Sequence, residues 1–461
     1  PRGIDREVVE TLARTHEGMD QDYKNLVQTT MRVSLADGWG GSMIATELSD
    51  ILFGSPKPIR SRANLGVLKE DEVNILIHGH EPTLSDMIVT ASQDKDLLEL
   101  AKKSGAKGIV VAGICCTANE VLMRRGVPLA GSFLQQEIAI LTGAVEAIVV
   151  DIQCIMPGIV EAAKHFHTKV ITTSAKASLP GVDLVEFKED KALDTAKRIV
   201  KAAIENYSNR NKSRVNIPKE SMELVAGFTA ENISYNLGGK FRGSYRPLND
   251  NIANGRIRGV VGVVGCDNPK MGSGSAHIAL VKELIKNDIL VVQTGCAAIE
   301  CAKEGLLTPE TAFEMAGEGL KEVCKTVGIP PVLHVGSCVD NSRIVIACTE
   351  MVKEGGIGHS LDELPIAGAA LEWVSEKAMA IGWYFVASGA LVALGTPLKV
   401  SGSQALYDYI TKDMENITGG KWVFEENPKK AAHIIIDHID KKRAALKLAP
   451  MLYKQSYACK A

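Results

Sequence analysis

From Val73 onward, the sequence alternates short runs of β-branched residues with longer amphipathic segments. This alternation is typical of βαβ units, in which helices join parallel strands. One series covers residues 73–200, and a second opens at Leu224 and continues to the end. The strands expected in the second series include 260–264, 289–292, 332–335 and 383–386. The sequence therefore predicts an α/β fold with two Rossmann-like parallel-sheet domains.

At 461 residues the chain is too long for a single hydrophobic core. Helical periodicity predicts a short helical segment at 1–55, which precedes Rossmann-like domains at 56–222 and 223–461. The polar, basic stretch 206–219 is expected to be a linker.

The composition excludes several classes of protein. The formal net charge of −3 argues against a broad surface for nucleic acid or anionic membranes. No apolar stretch approaches the roughly 20 residues that span a bilayer, and no secretory signal is expected. The ten cysteines include no Cys-x-x-Cys pair, the usual signature of zinc ribbons and thioredoxin-like sites. A protein of the reducing cytoplasm fits best.

Five of the expected strands end at or beside cysteine, and a sixth ends in His78-Gly-His80. The cysteines at these strand ends are Cys115 with Cys116, Cys154, Cys266, Cys296 and Cys338. Because ligands of open parallel sheets gather at the carboxyl ends of the strands, these side chains are expected to converge. Thiolate-rich sites select zinc, copper(I) or iron–sulfur clusters.

A free cysteine is more often a small buried hydrophobe than a ligand. Four of the remaining cysteines are interpreted in that way: Cys301, Cys324, Cys348 and Cys459. Cys266 and Cys296 differ, because each follows a glycine at which the backbone can turn sharply. The candidates run from His80 to Cys338 and are too many for one tetrahedral ion, which favours a cluster of several metals. The sequence leaves open whether His78 or His80 faces it.

Nucleotide fingerprints are incomplete in this chain. Residues 271–276, Met-Gly-Ser-Gly-Ser-Ala, resemble the start of a dinucleotide-binding loop, but His277 stands where the third glycine is needed. No complete P-loop occurs either. A Rossmann-like architecture without these motifs indicates a ligand other than NAD or ATP.

Several longer blocks resemble the anaerobic nickel–iron carbon monoxide dehydrogenase. They are His-Gly-His-Glu-Pro-Thr-Leu-Ser at 78–85, Gly-Ile-Cys-Cys-Thr-Ala-Asn-Glu-Val-Leu-Met-Arg at 113–124, and Gly-Ser-Cys-Val-Asp-Asn-Ser-Arg at 336–343. Shorter segments agree in order and approximate spacing, namely 151–154, 265–268, 294–296 and 375–382. The similarity covers essentially the whole chain.

The resemblance implies the reaction CO + H2O ⇌ CO2 + 2H⁺ + 2e⁻ at a Ni-4Fe-4S cluster, the family's C-cluster. Its ligands would be Cys154, Cys266 and Cys296 on the three cuboidal irons, Cys338 on nickel, and His80 with Cys116 on a pendant iron. Cys115 would be a neighbour and not a ligand.

The resemblance also implies roles for three residues near the reacting gas. Lys377 would stabilise negative charge that develops on oxygen, although a lone helical lysine is more often solvated. Ile381, one helical turn further on, would wall the gas pocket. Asp37 would tune acid–base chemistry, although an aspartate in this setting is commonly a turn or helix cap.

The chain departs from the family upstream of these blocks. Family members carry a longer N-terminal helical domain, which supplies a catalytic histidine and the cysteines of two further 4Fe–4S clusters, one shared across a homodimer. This sequence begins at Pro1 and has no cysteine before Cys115, so those additional clusters are not supported. An N-terminally truncated piece or a reduced relative is expected, and without that electron route the chain alone is expected to oxidise CO poorly or not at all. The family's partners would be a ferredoxin-like electron acceptor and an acetyl-CoA synthase subunit.

Two other interpretations stay open. The chain could instead resemble the hybrid-cluster protein, a hydroxylamine reductase that needs glutamate ligands, for which Glu81 is the candidate. Nickel content separates the two, because the hybrid cluster contains none. The chain could also be an inactive scaffold that docks a partner.

Overall fold

The computed structural model describes residues 2–237 and 243–453, so Cys459 lies outside the described residues. The strands of the described part are β1 Ile59–Ala63, β2 Val73–Gly79, β3 Ile109–Ile114, β4 Leu129–Gly131, β5 Val145–Val150, β6 Lys169–Thr172, β7 Asp183–Leu184, β8 Met222–Ala226, β9 Gly259–Val263, β10 Ile289–Thr294, β11 Val332–Gly336, β12 Ile366–Ala370, β13 Leu391–Leu394 and β14 Lys421–Phe424.

The helices of the described part are α1 Arg2–Arg14, α2 Tyr23–Ala36, α3 Ser42–Phe53, α4 Pro82–Ser92, α5 Lys95–Lys103, α6 Cys115–Arg125, α7 Gln136–Leu141, α8 Gly158–Lys164, α9 Ala192–Asn206, α10 Ala230–Leu237, α11 Arg246–Ala253, α12 Ser275–Lys286, α13 Gly295–Lys303, α14 Pro309–Met315, α15 Glu318–Val327, α16 Asn341–Glu354, α17 Glu376–Ala387, α18 Gln404–Asp408, α19 Met414–Thr418 and α20 Pro428–Ala445. A π-helical turn, Asp37–Gly41, separates α2 from α3. None of the described helices combines the length and the hydropathy needed to cross a membrane.

The chain divides into two compact units, and each contains a series of neighbouring strands. The central unit holds residues 56–227 and 302–305, and the split unit holds 1–55, 228–301 and 306–461. The domain boundaries expected from the sequence, at 55/56 and 222/223, stay a prediction.

The strands of the central unit lie in the order β8-β1-β4-β3-β2-β5-β6-β7. β8 runs antiparallel to β1, and the other neighbouring strands are parallel. Every residue of β2 is buried, as expected of an inner strand in a parallel sheet covered by helices. Ile77 of β2 packs in one core with Val149 of β5, Ile88 of α4 and Ile199 of α9. The loops that follow β2 and β5 therefore begin at strands that are held in place by the hydrophobic core.

The strands of the split unit lie in the order β14-β13-β12-β9-β10-β11, and all of these neighbours are parallel. Residues 2–53 of the same unit form α1, α2, the π-helical turn and α3. The predicted α/β class, with parallel sheets and a helical segment at the start, is confirmed.

The expected strand at 383–386 is wrong, because these residues belong to α17. Trp383, Tyr384 and Val386 are all buried. A helix that is buried over much of its surface lacks the polar face that reveals a helical period, so a short apolar run within it resembles a strand. The correction places Trp383 and its neighbours on the same helix as Lys377 and Ile381.

The basic stretch 206–219 also differs from the expected linker, since it lies inside the central unit. Two short 3-10 turns, Tyr207–Asn209 and Lys212–Arg214, flank Arg210. The Arg210 guanidinium is fully buried, and its Nη2 lies 2.7 Å from Glu146 Oε2. The sequence of this stretch resembles a solvent-exposed segment, because Glu146, the carboxylate that pairs with Arg210, lies far away in the chain.

Candidate metal centre

Three soft-metal ligands meet at strand ends of the central unit. β2 leads to His80, β3 leads to Cys115 in the first turn of α6, and the loop after β5 carries Cys154. One ligand atom from each of these residues lies within 4.8 Å of the other two, and Cys154 Sγ is 3.8 Å from His80 Nε2. Ligands that sit about 2.0–2.3 Å from a metal are separated by at most twice that distance, so the spacing suits a shared ion.

The group contains Cys115, which the sequence had set aside as a neighbour, and it does not include Cys116. Both cysteines are buried in the first turn of α6. Cys115 pairs with Gly79 in an isolated β-bridge, which brings it beside His80. Cys115 has a left-handed φ of 65° and Cys116 does not, so the two adjacent thiols leave the main chain in different settings. The sequence carries no signal that separates two adjacent cysteines.

The structure also separates the two candidate histidines. His80 belongs to the ligand group, whereas His78 is fully buried beneath it. His78 Nε2 lies 3.1 Å from the Cys154 carbonyl oxygen and 3.2 Å from Gln136 Oε1. Burial lowers the pKa of His78 to about 4, so the ring is neutral and donates to these oxygens. His78 thus supports the main chain at Cys154.

Both cysteines of the group have a left-handed backbone, with φ of 65° at Cys115 and 60° at Cys154. This conformation is uncommon outside glycine and costs on the order of 1–3 kcal/mol when the surroundings impose it. Strained residues of this kind cluster at functional sites. The backbone therefore supports the group independently of the side-chain distances.

Asp151 holds this loop region together through a buried carboxylate. Its Oδ1 accepts a hydrogen bond from the His80 main-chain N at 2.6 Å, and its Oδ2 accepts one from Thr117 Oγ1 at 2.8 Å. Burial raises the pKa of Asp151 to about 6. A Cβ on Gly79 would collide with the carboxylate, so glycine permits the contact. Asp151 lies within one of the blocks that resemble the family, but no role was predicted for it from the sequence.

In the split unit, three buried cysteines follow strands β9, β10 and β11, which are neighbours in the sheet: Cys266, Cys296 and Cys338. Gly295 has φ of 65°, and a Cβ there would lie 2.7 Å from Cys338 Sγ. The glycine thus lets the Cys338 thiol approach the turn that carries Cys296. These loops bring their thiols to the carboxyl edge of one parallel sheet, as the sequence predicts.

Asp340 organises the Cys338 loop in a comparable way. Its Oδ2 accepts a hydrogen bond from the Ser337 main-chain N at 3.0 Å, and its Oδ1 accepts one from Arg343 Nε at 3.0 Å. Gly336 has φ of 132°, and a Cβ at that position would collide with the Asp340 carboxylate. Asp340 was not predicted from the sequence, in which the Gly-Ser-Cys-Val-Asp spacing at 336–340 is the local trace of its role.

An apolar cavity of the split unit adjoins the cysteine loops and α17. Cys266, Cys338, Lys377 and Ile381 are among the residues that line it, and most of the others are aliphatic or glycine. Lys377 is partly buried and Ile381 is buried. The two α17 residues singled out from the sequence therefore face the same cavity as two of the predicted ligands.

Asp37 begins the π-helical turn before α3. Neighbouring protein removes part of its hydration and raises its pKa. Tyr384 of α17 is fully buried, and its ring fills the space beside Gly38. Its hydroxyl has no hydrogen-bond partner among the described residues, and burial, reinforced by the charges of Asp37 and Cys338, raises its pKa well above the usual value. The sequence offered no reason to single out Tyr384.

Other candidates have structural roles. Glu81, the carboxylate considered as a hybrid-cluster ligand, is the N-cap residue of α4, and its Oε1 accepts from the Thr83 main-chain N at 3.0 Å. Cys301, Cys324 and Cys348 are buried, and burial raises the pKa of each thiol to about 12. A thiol with such a pKa stays protonated at neutral pH and packs as a small hydrophobe.

Comparisons with known proteins connect this arrangement to one group of enzymes. The sequence model described as the Prismane/CO dehydrogenase family matches residues 1–429. Carbon monoxide dehydrogenase 1 of Methanosarcina mazei is 55% identical over 448 residues, which cover 97% of this chain and 70% of that protein. Subunit beta of the carbon monoxide dehydrogenase/acetyl-CoA synthase of Moorella thermoacetica is 42% identical, over 95% of this chain and 66% of that subunit.

A solved structure agrees with these sequence matches. The Ni-free carbon monoxide dehydrogenase of Thermococcus sp. AM4 superimposes with a TM-score of 0.94 and is 54% identical. The match covers 97% of this chain and 70% of that chain. The structural comparison and the sequence comparisons therefore indicate the same group of enzymes.

Proposed function

The chain belongs to the Prismane/CO dehydrogenase family, and on that basis we propose that it is an oxidoreductase that reversibly oxidises CO with water to CO2, two protons and two electrons. The observation that carries the proposal is the soft-ligand group of His80, Cys115 and Cys154 at the strand ends of a parallel sheet. Relatives that match 97% of the chain are named for this activity, which favours it over the hydroxylamine reductase alternative.

The donor set fits a nickel–iron–sulfur cluster, the C-cluster. Thiolates suit iron–sulfur clusters and imidazole suits iron and nickel, whereas magnesium and calcium prefer oxygen ligands. Glycines at the strand exits leave room that a Cβ would close, and this is clearest at Gly295, beside Cys338. The buried thiols of the split unit are shielded from water, as a redox cluster needs.

The proposal assigns each metal to named residues. Cys154, Cys266 and Cys296 would hold the three cuboidal irons, Cys338 would hold nickel, and His80 with Cys116 would hold the pendant iron. Cys115 is the competing candidate for the position of Cys116, since its thiol lies in the group with His80 and Cys154. The further 4Fe–4S clusters of the family form no part of this assignment.

When bound, the cluster supplies the metals that take up CO, activate water and receive two electrons. Lys377 places a positive charge in an apolar cavity, where it donates to oxygen as negative charge develops there. Ile381 keeps water out of the same cavity. Asp37, whose raised pKa makes it more basic than an ordinary aspartate, accepts a proton that the reaction releases.

The proposal extends to partners. A ferredoxin-like protein accepts the electrons, and the chain forms a homodimer. An acetyl-CoA synthase subunit is a further partner, because the name of the Moorella thermoacetica relative joins the two activities.

Metal analysis of anaerobically purified protein tests the proposed function. We expect nickel, iron and acid-labile sulfide in the proportions of a Ni-4Fe-4S cluster, together with at most slow CO-dependent reduction of a viologen dye by this chain alone. Protein from nickel-depleted medium is the control, and it should keep iron and sulfide but hold no nickel. Iron and sulfide without nickel in replete medium would favour the hybrid-cluster alternative. Folded protein with neither metal would refute the cluster.

Serine substitutions at the two adjacent cysteines test the pendant-iron assignment. Cys116→Ser is expected to lose the pendant iron, because the hydroxyl is a poorer ligand than a thiolate for this site. Cys115→Ser is the matched control, since both side chains are 1% exposed in the same helical turn, and it should keep the iron. Iron content and Mössbauer spectra would measure the difference. Loss of this iron in Cys115→Ser alone would transfer the role to Cys115.

A further inference from the structure

The loop that carries Cys266 contains an anion-binding shape. Residues 264–274 connect β9 to α12, and Gly272, Ser273 and Gly274 have φ of 102°, 53° and 92°. Successive main-chain N–H groups in turns of this kind form a concavity that attracts anions. The first N–H groups of α12, which begins at Ser275, also lack partners within the helix. Rossmann-like folds bind the phosphates of a dinucleotide at this position.

In this chain, a carboxylate of the protein itself fills the concavity. Glu372 follows β12 by two residues and is fully buried. Its Oε2 accepts hydrogen bonds from the main-chain N of Asn268 at 3.0 Å and of Gly274 at 2.7 Å. Its Oε1 accepts one from the main-chain N of Ala276 at 2.8 Å. An ionised carboxylate only accepts hydrogen bonds, so three main-chain donors suit it well.

His277 makes a second contact with the same loop. It occupies the position of the third glycine in the dinucleotide fingerprint and is fully buried. Its Nε2 lies 2.7 Å from the Cys266 carbonyl oxygen, and burial lowers its pKa, so the neutral ring donates to that oxygen. A glycine at this position would leave the carbonyl without its donor. His277, the residue that breaks the dinucleotide fingerprint, therefore supports the main chain at Cys266.

The segment after Glu372 reaches the thiol as well. Ser375 Oγ lies 3.6 Å from Cys266 Sγ, and Ser375 is the N-cap residue of α17. Residues 372–375 thus contact the main chain of the Cys266 loop at one end and the thiol at the other, and the segment ends two residues before Lys377.

We propose that Glu372 is a positioning residue for Cys266. Its carboxylate fills the anion site that related folds offer to a nucleotide phosphate, and it thereby holds the loop that presents the Cys266 thiol. The proposal rests on the proposed function in one step, the role of Cys266 as a metal ligand. The filled anion site depends only on the contacts of Glu372.

A substitution of Glu372 and a control substitution of a nearby exposed glutamate test the proposal in the full chain. Glu372→Ala opens a carboxylate-sized space, and we expect a lower thermal midpoint and an altered electron paramagnetic resonance spectrum of the cluster. Acetate should restore both, while the wild-type protein should not respond to acetate. Glu376→Ala is the control, because it removes an exposed carboxylate in the first turn of α17 and should behave as wild type.

The outcomes separate this proposal from the proposed function. If the wild-type protein holds no cluster, the proposed function fails, and acetate rescue of the thermal midpoint still decides whether Glu372 fills an anion site. An unchanged midpoint in Glu372→Ala, or a fall that acetate does not reverse, would overturn the proposal. If Glu372→Ala does not fold, Glu372→Gln keeps the side-chain volume, and an unchanged cluster spectrum in that variant would overturn it as well.

Discussion

Cys338→Ala is expected to lose nickel while the iron of the cluster is retained. In the proposed assignment Cys338 is the protein ligand of nickel, and the three cuboidal irons have their own thiolates. Loss of even an outer hydrogen-bond partner typically costs about 10–100-fold in metal affinity, so loss of a direct ligand should cost more. Gly295 has no Cβ, and a Cβ placed there would lie only 2.7 Å from Cys338 Sγ. The glycine therefore permits a close approach at this thiol. Nickel and iron per chain, measured together, test the expectation.

Cys348→Ala is the matched control for this experiment. Cys348 lines the same apolar cavity as Cys338 and is equally buried, but burial raises the pKa of its thiol to about 12 and keeps it protonated. Both metals should remain at wild-type levels in this variant. Wild-type nickel content in Cys338→Ala would contradict the assignment. Loss of nickel in both variants would instead indicate that packing of the cavity, and not ligation, controls nickel binding.

Arg210→Met should produce the largest loss of stability, about 3–5 kcal/mol in the free energy of unfolding. Arg210 and Glu146 are both fully buried, and two guanidinium nitrogens each donate to a carboxylate oxygen at 2.7 Å. Arg210 also donates to the carbonyl oxygens of Glu70, Glu72 and Ala144. Removing the guanidinium leaves a buried carboxylate whose remaining partners are the Asn74 main-chain N at 2.7 Å and His167 Nε2 at 2.8 Å. The fall in the urea midpoint of unfolding measures the effect.

Two further variants identify the cause. Lys164→Met breaks an exposed ion pair with Glu161 and should leave the midpoint unchanged. The double substitution Glu146→Gln with Arg210→Met should be less destabilised than Arg210→Met alone, because no uncompensated charge stays buried. A double variant that is at least as unstable as the single one would show that the lost contacts of Arg210, and not the charge of Glu146, set the cost.

The local sequence pattern predicts the strands that lead to the candidate site and the edge of the sheet at which they end. Runs of apolar, β-branched residues predict the inner parallel strands, and parallel strands place their carboxyl ends at one edge. The positions of Cys154, Cys266 and Cys338 just beyond β5, β9 and β11 could therefore be predicted. The helix at 376–387 could not, because its buried surface hides the helical period.

The sequence by itself determined the α/β class, the strand exits that carry cysteine, and the membership in the family. Tertiary structure decided that His80 and not His78 joins the ligand group, and that Cys115 lies in it. It also decided that Glu372 reaches the Cys266 loop and that Arg210 is buried. The physical reason is range: local periodicity reports the backbone and its buried face, whereas these contacts join residues far apart in the chain or depend on a left-handed turn. Such contacts arise only when the sheets and helices are packed.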